Sequence, residues 1–517
     1  AAVTTKLDNR GNETEETRLD ANGQPVPEKE TGSARLVMQH NNDGQIVAEK
    51  SYGADGRPIL TKDGGFAKRT LSYDARGHVI KIEYFGTDGK PILRKGTGVA
   101  RETWKLDAGG NVAGRAFFGT DSKPILRSDD GYASMTFQRD QKGNVAAIRY
   151  FGVDGKPILN KQGHIASDFS RYDERGNDIE EDFFGIGGKP TLHKQFGAAR
   201  LLWQYDARGN LISQESFGVD GRPISSKGYA RVTDRYDDRS QNIEEAYFGT
   251  DGKPVLNDHG IARVSSDYDD RGNLIRESYF GADNAPTLRN DVQIAQIVNK
   301  YDDRSELTEE DYIGVDGKPA LEKDGGFARL TRKYDDRGDV AEEAFFGTDG
   351  APISHLTNGY ARVTTKYDTR GNQIERRYFG VDGRPMARRD RGFAVLRTVY
   401  DQRDDAVAES YFDADGNPVA STDMGVASMT MKYDAHHNVV RYDYFGVDGR
   451  PAFRTDQRFA VLIDTFDDRD DQIRQCLYDT NGKPTEIQGV ACVERKYDGA
   501  DNVVATSTYR ADGGPVQ

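Results

Sequence analysis

A chain of 517 residues that is 30% charged and only 36% hydrophobic leaves too little apolar material for one large compact core. Its 26 tyrosines and 23 phenylalanines argue equally against disorder, which is poor in aromatics. The net charge of −14 at pH 7 argues against nucleic acid as a partner, no run of about 18 apolar residues offers a membrane-spanning helix, and two cysteines exclude a disulfide-built scaffold or a Cys-rich metal site.

Read from its first residue, AAVTTKLDNRGN matches ARVTTKYDTRGN from Ala361 onward, so the chain enters partway through a repeated phrase. Sixteen of the 17 prolines close that phrase, at Pro25, Pro58, Pro91, Pro124, Pro157, Pro190, Pro223, Pro254, Pro286, Pro319, Pro352, Pro385, Pro418, Pro451, Pro484 and Pro515. Twelve of the fifteen intervals are 33 residues and the others are 31, 32 and 31. Residues 1–517 are therefore read as a single continuous repeat array.

Written from its first strand, a repeat approximates G-[FYIV]-A-x-[VLM]-x-x-x-Y-D-x-R-G-N-x-I-E-E-x-Y-F-G-x-D-G-K-P-x-L. Helical repeats need an apolar period near 3.6, and no stretch here sustains one without a glycine-bearing turn. The period is two. Ala230, Val232 and Tyr236 share one face of a strand, as do Ala328, Leu330 and Tyr334, and Ala394, Leu396 and Tyr400. Asp269-Asp270-Arg271-Gly272-Asn273 then supplies a turn, because Gly and Asn tolerate positive φ and Asp bonds its own backbone. A second strand follows from Asn273 to Phe280, with Ile275 and Tyr279 on one side.

The pairs Asp88-Gly89, Asp251-Gly252 and Asp382-Gly383 mark the next turn. The proline that follows lacks an N–H and belongs at a strand start, edge or bulge. Two main strands per repeat, with P-x-L as a short third, predict an all-β array of about sixteen 33-residue hairpin units forming an elongated or spiralling β-solenoid or ribbon. One hairpin buries too little to stand alone, so the recurring aromatics are expected to stack in ladders along the array.

Tyr73-Asp74-Ala75-Arg76-Gly77 and Phe85-Gly86-Thr87-Asp88-Gly89 share the frame aromatic, small or acidic, x, x, Gly. This resembles the YD repeats of the RHS family, bacterial surface and toxin proteins with strings of Tyr-Asp-x-x-Gly. The resemblance runs along nearly the whole chain on a short motif, and the half-motifs alternate at 12 and 21 residues, a departure from the single spacing of YD repeats. It implies a spiralling β-ribbon, closed in some members into a hollow shell around a toxin; no terminal toxin domain is found in this sequence. Hairpin repeats of the MORN type share the same glycines and aromatics.

Repeated Asp-Gly loops invite a calcium reading, but calcium needs six to eight oxygens, typically D-x-D-x-D-G and a distant Glu. Only fragments occur, at Asp20-Ala21-Asn22-Gly23, Asp413-Ala414-Asp415-Gly416 and Asp479-Thr480-Asn481-Gly482, and elsewhere the first position is Gly86, Gly152 or Gly249. These are read as turns, and no metal or cofactor is expected. His40, His78, His164, His193, His259, His355, His436 and His437 fall at unrelated points of the repeat, without H-E-x-x-H spacing. Gly185-Ile186-Gly187-Gly188 takes the place of a turn and precedes no helix, so it is not read as a phosphate loop. Arg337-Gly338-Asp339 is the R-G-N of its repeat with Asp for Asn. No G-x-S-x-G or reactive Cys–His signature appears, so no catalytic residue is assigned and no enzymatic activity is expected.

Cys476 lies near the end of one second strand and Cys492 near the start of the next first strand. If those strands are neighbours, a disulfide would close a loop of about 15 residues and contribute roughly 3 kcal/mol in the chain-entropy model, implying an oxidising compartment. Two buried free thiols are the alternative. At the ends, Leu7, Leu19 and Arg510 replace aromatics as weak capping, which leaves open a segment of a longer protein, closure of the ribbon, or stacking of copies.

The function expected is a non-enzymatic bacterial scaffold, secreted or at the cell surface, acting in adhesion, fibre building or partner presentation. Its partners would be copies of itself, associating end to end or laterally, or other surface proteins or glycans. An RHS-like shell segment of a toxin is the second reading and a carbohydrate-binding array using exposed Tyr and Phe the third.

Overall fold

Each repeat folds as one antiparallel hairpin, a six-residue strand followed by a seven-residue strand, and among the described residues 32 such strands occur and no helix. The computed structural model describes residues 2–20, 23–467, 469–497 and 503–516. Two compact bodies are formed, Ala1–Asp234 with Phe248–Lys253, and Arg235–Tyr247 with Pro254–Gln517. Both are built from the same repeat. Strands Arg329–Tyr334 and Val340–Phe346 illustrate it. They pair over six positions, from Arg329 opposite Phe346 to Tyr334 opposite Val340, with a bulge beside the turn.

The P-x-L segment does not become a third strand. Pro352 makes a single bridge to Phe346, Ile353 donates to the Phe345 carbonyl at 3.0 Å, and the chain then curls so that Gly359 donates to His355 at 2.9 Å. Proline cannot donate the bond that a further strand would require. The loop instead serves the core, because the residue before the strand-leading alanine, such as Phe327, Tyr360 or Phe393, enters the aromatic column.

That column is the main apolar interior. In the C-terminal body it runs Tyr312, Phe327, Phe345, Tyr360, Tyr378, Phe393, Tyr411, with successive ring centroids 4.7 to 6.2 Å apart. Rings from second strands alternate with rings from loops, so each repeat is sandwiched by its neighbours. Such contacts contribute about 0.5 to 1.5 kcal/mol each beyond area burial. The N-terminal body mixes Val99 and Ile165 with Tyr84, Phe117, Tyr132, Tyr150 and Phe183 in the same seats. The alanine that follows, such as Ala328, Ala361 or Ala394, is fully enclosed because neighbouring backbones pass on both sides: Tyr312 donates to the Ala328 carbonyl, and Ala328 to that of Phe346.

Between repeats the sheet ladder is shorter. Only Glu309, Glu310 and Asp311 pair with Thr331, Leu330 and Arg329 before the strands diverge. At the diverging end the tyrosine of Tyr-Asp reaches back 27 residues and donates its hydroxyl to a carbonyl of the preceding repeat. Tyr334 bonds Leu307 at 2.7 Å, Tyr367 bonds Val340 at 3.0 Å and Tyr433 bonds Ala406 at 2.9 Å; Tyr73 and Tyr172 do the same at 2.6 and 2.9 Å. A second tie joins the loops, where Leu356 donates to Gly325 at 2.8 Å and Arg389 to Asn358 at 3.0 Å. No helix among the described residues is long and apolar enough to cross a membrane.

Tyr334→Phe keeps the ring and deletes only the backward bond. It is expected to destabilise by about 1 kcal/mol, with faster amide exchange confined to Leu307–Ile313 and Arg329–Tyr334, read by hydrogen-exchange mass spectrometry. Unchanged exchange there would contradict the role given to the hydroxyl.

Candidate functional site

The recurring polar residues gather at two rows of turns. In Asp368-Thr369-Arg370-Gly371-Asn372 the Asp368 carboxylate accepts from the backbone N–H of Arg370 at 2.8 Å and of Asn372 at 2.9 Å, while the Asn372 amide donates to its other oxygen at 3.2 Å. The Asn372 backbone N–H is the largest of the influences that hold this carboxyl down at about 2, with the Asn372 side chain and Arg370 adding to it. Gly371 sits at φ 95°, in the left-handed region. Five repeats place Ser240, Ser305, Asp404, His437 or Asp470 in that seat, and all have φ between 60° and 66°. In several turns the arginine reaches forward to the next: Arg76 to the Ala108 carbonyl at 2.7 Å, Arg337 to Asp368 at 2.7 Å, Arg403 to Asp434 at 3.0 Å.

The second row contains the Asp-Gly pairs. Asp88, Asp251 and Asp382 each accept from the backbone N–H two residues on, at 3.0 Å, and Gly89, Gly252 and Gly383 have φ of 76°, 75° and 73°. The calcium-like fragments spend their carboxylates in the same way: Asp413 accepts from Asp415 and Asn417, and Asp479 from Asn481 and Lys483. Of Asp20-Ala21-Asn22-Gly23, Ala21 and Asn22 lie outside the described residues. Gly185 to Gly188 form the ordinary turn, with Gly188 donating to Gly185 at 3.0 Å.

Arg337 pairs with Asp339 at 3.0 Å inside its own turn. The histidines are spread through local contacts. His193 stacks on Phe196, His355 contacts Phe345, His436 meets Asp470 and His437 meets Asp405. Burial, with neighbouring carboxylates, raises Glu181 to about 7, and burial raises Asp168 to about 6. Among the described residues, no three His, Cys, Asp or Glu side chains are grouped to hold a metal ion.

Cys476 and Cys492 are directly opposed across neighbouring strands, both buried, and their sulfurs are bonded.

The most distinctive exposed chemistry lies on the sheet face opposite the aromatic column. There the arginine that opens a first strand lies over the aromatic that ends its partner strand: Arg101 over Phe118 at 4.2 Å, Arg200 over Phe217 at 4.6 Å, Arg263 over Phe280 at 3.8 Å and Arg362 over Phe379 at 4.0 Å. Each is a cross-strand pair and contributes about 0.5 to 1 kcal/mol where exposed. The row is interrupted by Ser134 opposite Phe151, Ser167 opposite Phe184 and Ser428 opposite Phe445, and elsewhere by Gln296, Val395, Val461 and Cys492. Motif reading passed over these arginines; the signal was an Ala-Arg that becomes Ala-Ser at Ser134, Ser167 and Ser428.

No protein-family model matches the chain, and no curated protein matches it. Among solved structures it is similar to TcdB2-TccC3-TEV, at 10% identity and a TM-score of 0.39, over 99% of this chain and 26% of that one. It is similar also to a Photorhabdus luminescens Tc holotoxin pore, at 11% and 0.31 over 98% and 24%, and to TcdB2-TccC3, at 12% and 0.30 over 99% and 27%. The chain spans about a quarter of the length of these chains.

Two outcomes follow from the turns and the cysteines. Because the Asp368 carboxyl is depressed from 3.8 to about 2 in the fold, its contribution to stability is present above pH 3.8 and is lost as pH falls through about 2. Asp368→Asn should flatten the acid limb of a pH-stability curve in that window and leave its slope at pH 7 unchanged. Reduction of the disulfide, or Cys476→Ser with Cys492→Ser, should cost roughly 3 kcal/mol, confined to the last repeats and read by limited proteolysis with mass spectrometry.

Proposed function

We propose that the chain is a non-enzymatic structural scaffold of YD-repeat type, secreted or displayed at a bacterial surface, which holds or presents a partner. The supporting observation is the use made of the recurring polar residues. The tyrosine hydroxyl bonds the preceding repeat, the aspartate fixes its own turn and the arginine bonds the next turn, as at Tyr334, Asp335 and Arg337. Side chains that a catalytic array would aim at a substrate are spent on joining neighbours. The second reading, a shell segment of an RHS-like toxin, is favoured by the Tyr-Asp-x-x-Gly frame itself, which is built into joints such as that of Tyr334 to Gly338.

Electron microscopy of the purified chain, with protease protection of a cargo protein fused to its C-terminus, separates the readings. Open particles with digested cargo are expected of a scaffold. Hollow closed particles with protected cargo would transfer the assignment to a shell, and a helix-dominated circular dichroism spectrum would overturn both.

A further inference from the structure

Phe151 and Phe184 end the second strands of two successive repeats, and each faces a serine where neighbouring repeats place arginine. Beside Ser167 lies a cavity of about 330 Å³, walled by Phe151, Pro157, Phe169, Phe184 and Ile186, and without a guanidinium over it the Phe184 ring forms part of the wall. Phe169 stands edge-on to Phe184, with ring centroids 5.3 Å apart. Ile186 at the rim is 56% exposed, so the cavity is open to solvent. Its size and apolar walls are those of a small-molecule site, in which a few polar groups fix orientation.

Arg149 is the polar group. Its guanidinium lies 5.0 Å from the Phe169 ring and donates a long bond, 3.4 Å, to Gln138, and among the described residues no carboxylate pairs with it. The corresponding groove of the C-terminal body shows the contrast. There a cavity of about 470 Å³ beside Phe346 includes Arg362, but Glu342 neutralises that arginine at 2.7 Å.

The geometry points to a binding site for a flat apolar molecule carrying one carboxylate, its rings against Phe169 and Phe184 where Ser167 stands in place of an arginine, and its carboxylate accepting from Arg149. Aromatic rings offer stacking and edge contacts to such a ligand, and the guanidinium offers a charge-assisted fork. The C-terminal groove supplies the control: there Arg362 lies over Phe379 at 4.0 Å and takes that ring out of the cavity wall, whereas Phe184 lines its own.

The test titrates the full chain with 2-naphthoate and, separately, with its uncharged counterpart 2-naphthamide, followed by calorimetry. Saturable one-site binding is expected, with naphthoate about tenfold tighter, the worth of one charge-assisted hydrogen bond at a half-exposed site. Arg149→Gln should bring the two probes level, Arg149→Lys should retain part of the preference, and Ser167→Arg should abolish binding of both. Circular dichroism of each variant, unchanged from the parent, shows that the fold is kept. Equal affinities in the parent chain, binding that survives Ser167→Arg, or no saturable binding would overturn the assignment.

Discussion

A two-strand hairpin cannot cover its own aromatic face, and every other feature of this chain answers to that constraint. The penultimate ring of one second strand is covered by a loop residue of the following repeat, which is covered in turn by the next such ring, as Phe345, Tyr360 and Tyr378 show. Stability of this kind is a sum over neighbours and not the property of a centre. It permits a highly charged chain to grow long, because the apolar requirement per repeat is met by about two rings and an alanine.

Rings alone would leave the joint between repeats loose. The inter-repeat ladder covers three residue pairs where the hairpin ladder covers six. The polar letters of the motif close the gap at the diverging end: one hydroxyl reaches backward and one guanidinium forward, so that a turn is held from both sides. A buried carbonyl left without a donor costs more than a made bond returns, which gives the tyrosine hydroxyl a role that phenylalanine could not take.

Much of this was legible in the letters. Proline spacing gave the repeat, period-two alternation the strands, and Asp-Gly and Arg-Gly-Asn the turns, because each of those signals is local. What the letters concealed was long-range. Nothing adjacent to Tyr334 reveals that its hydroxyl meets Leu307, and the left-handed seats of Ser305 and Asp404 are visible only when the repeats are aligned on Gly371. P-x-L looked like a strand because its apolar residues are spaced like one; the proline and the tight loop after it direct Ile353 back onto its own hairpin. The arginine row recurs in about half of the repeats, but a strand-opening arginine reads as solvated surface until its cross-strand partner is known.

The serine interruptions give the array a modularity that its regular joints do not. The arginine over each ring takes no part in the aromatic column or in the Tyr-Asp joints, so exchanging it for serine alters one surface basin and gives up only its own contacts, such as those of Arg263 to Asn284 and Glu244. A chain built this way can diversify what it contacts by single-codon changes at one position per repeat, acquiring or erasing recesses individually while its frame stays constant.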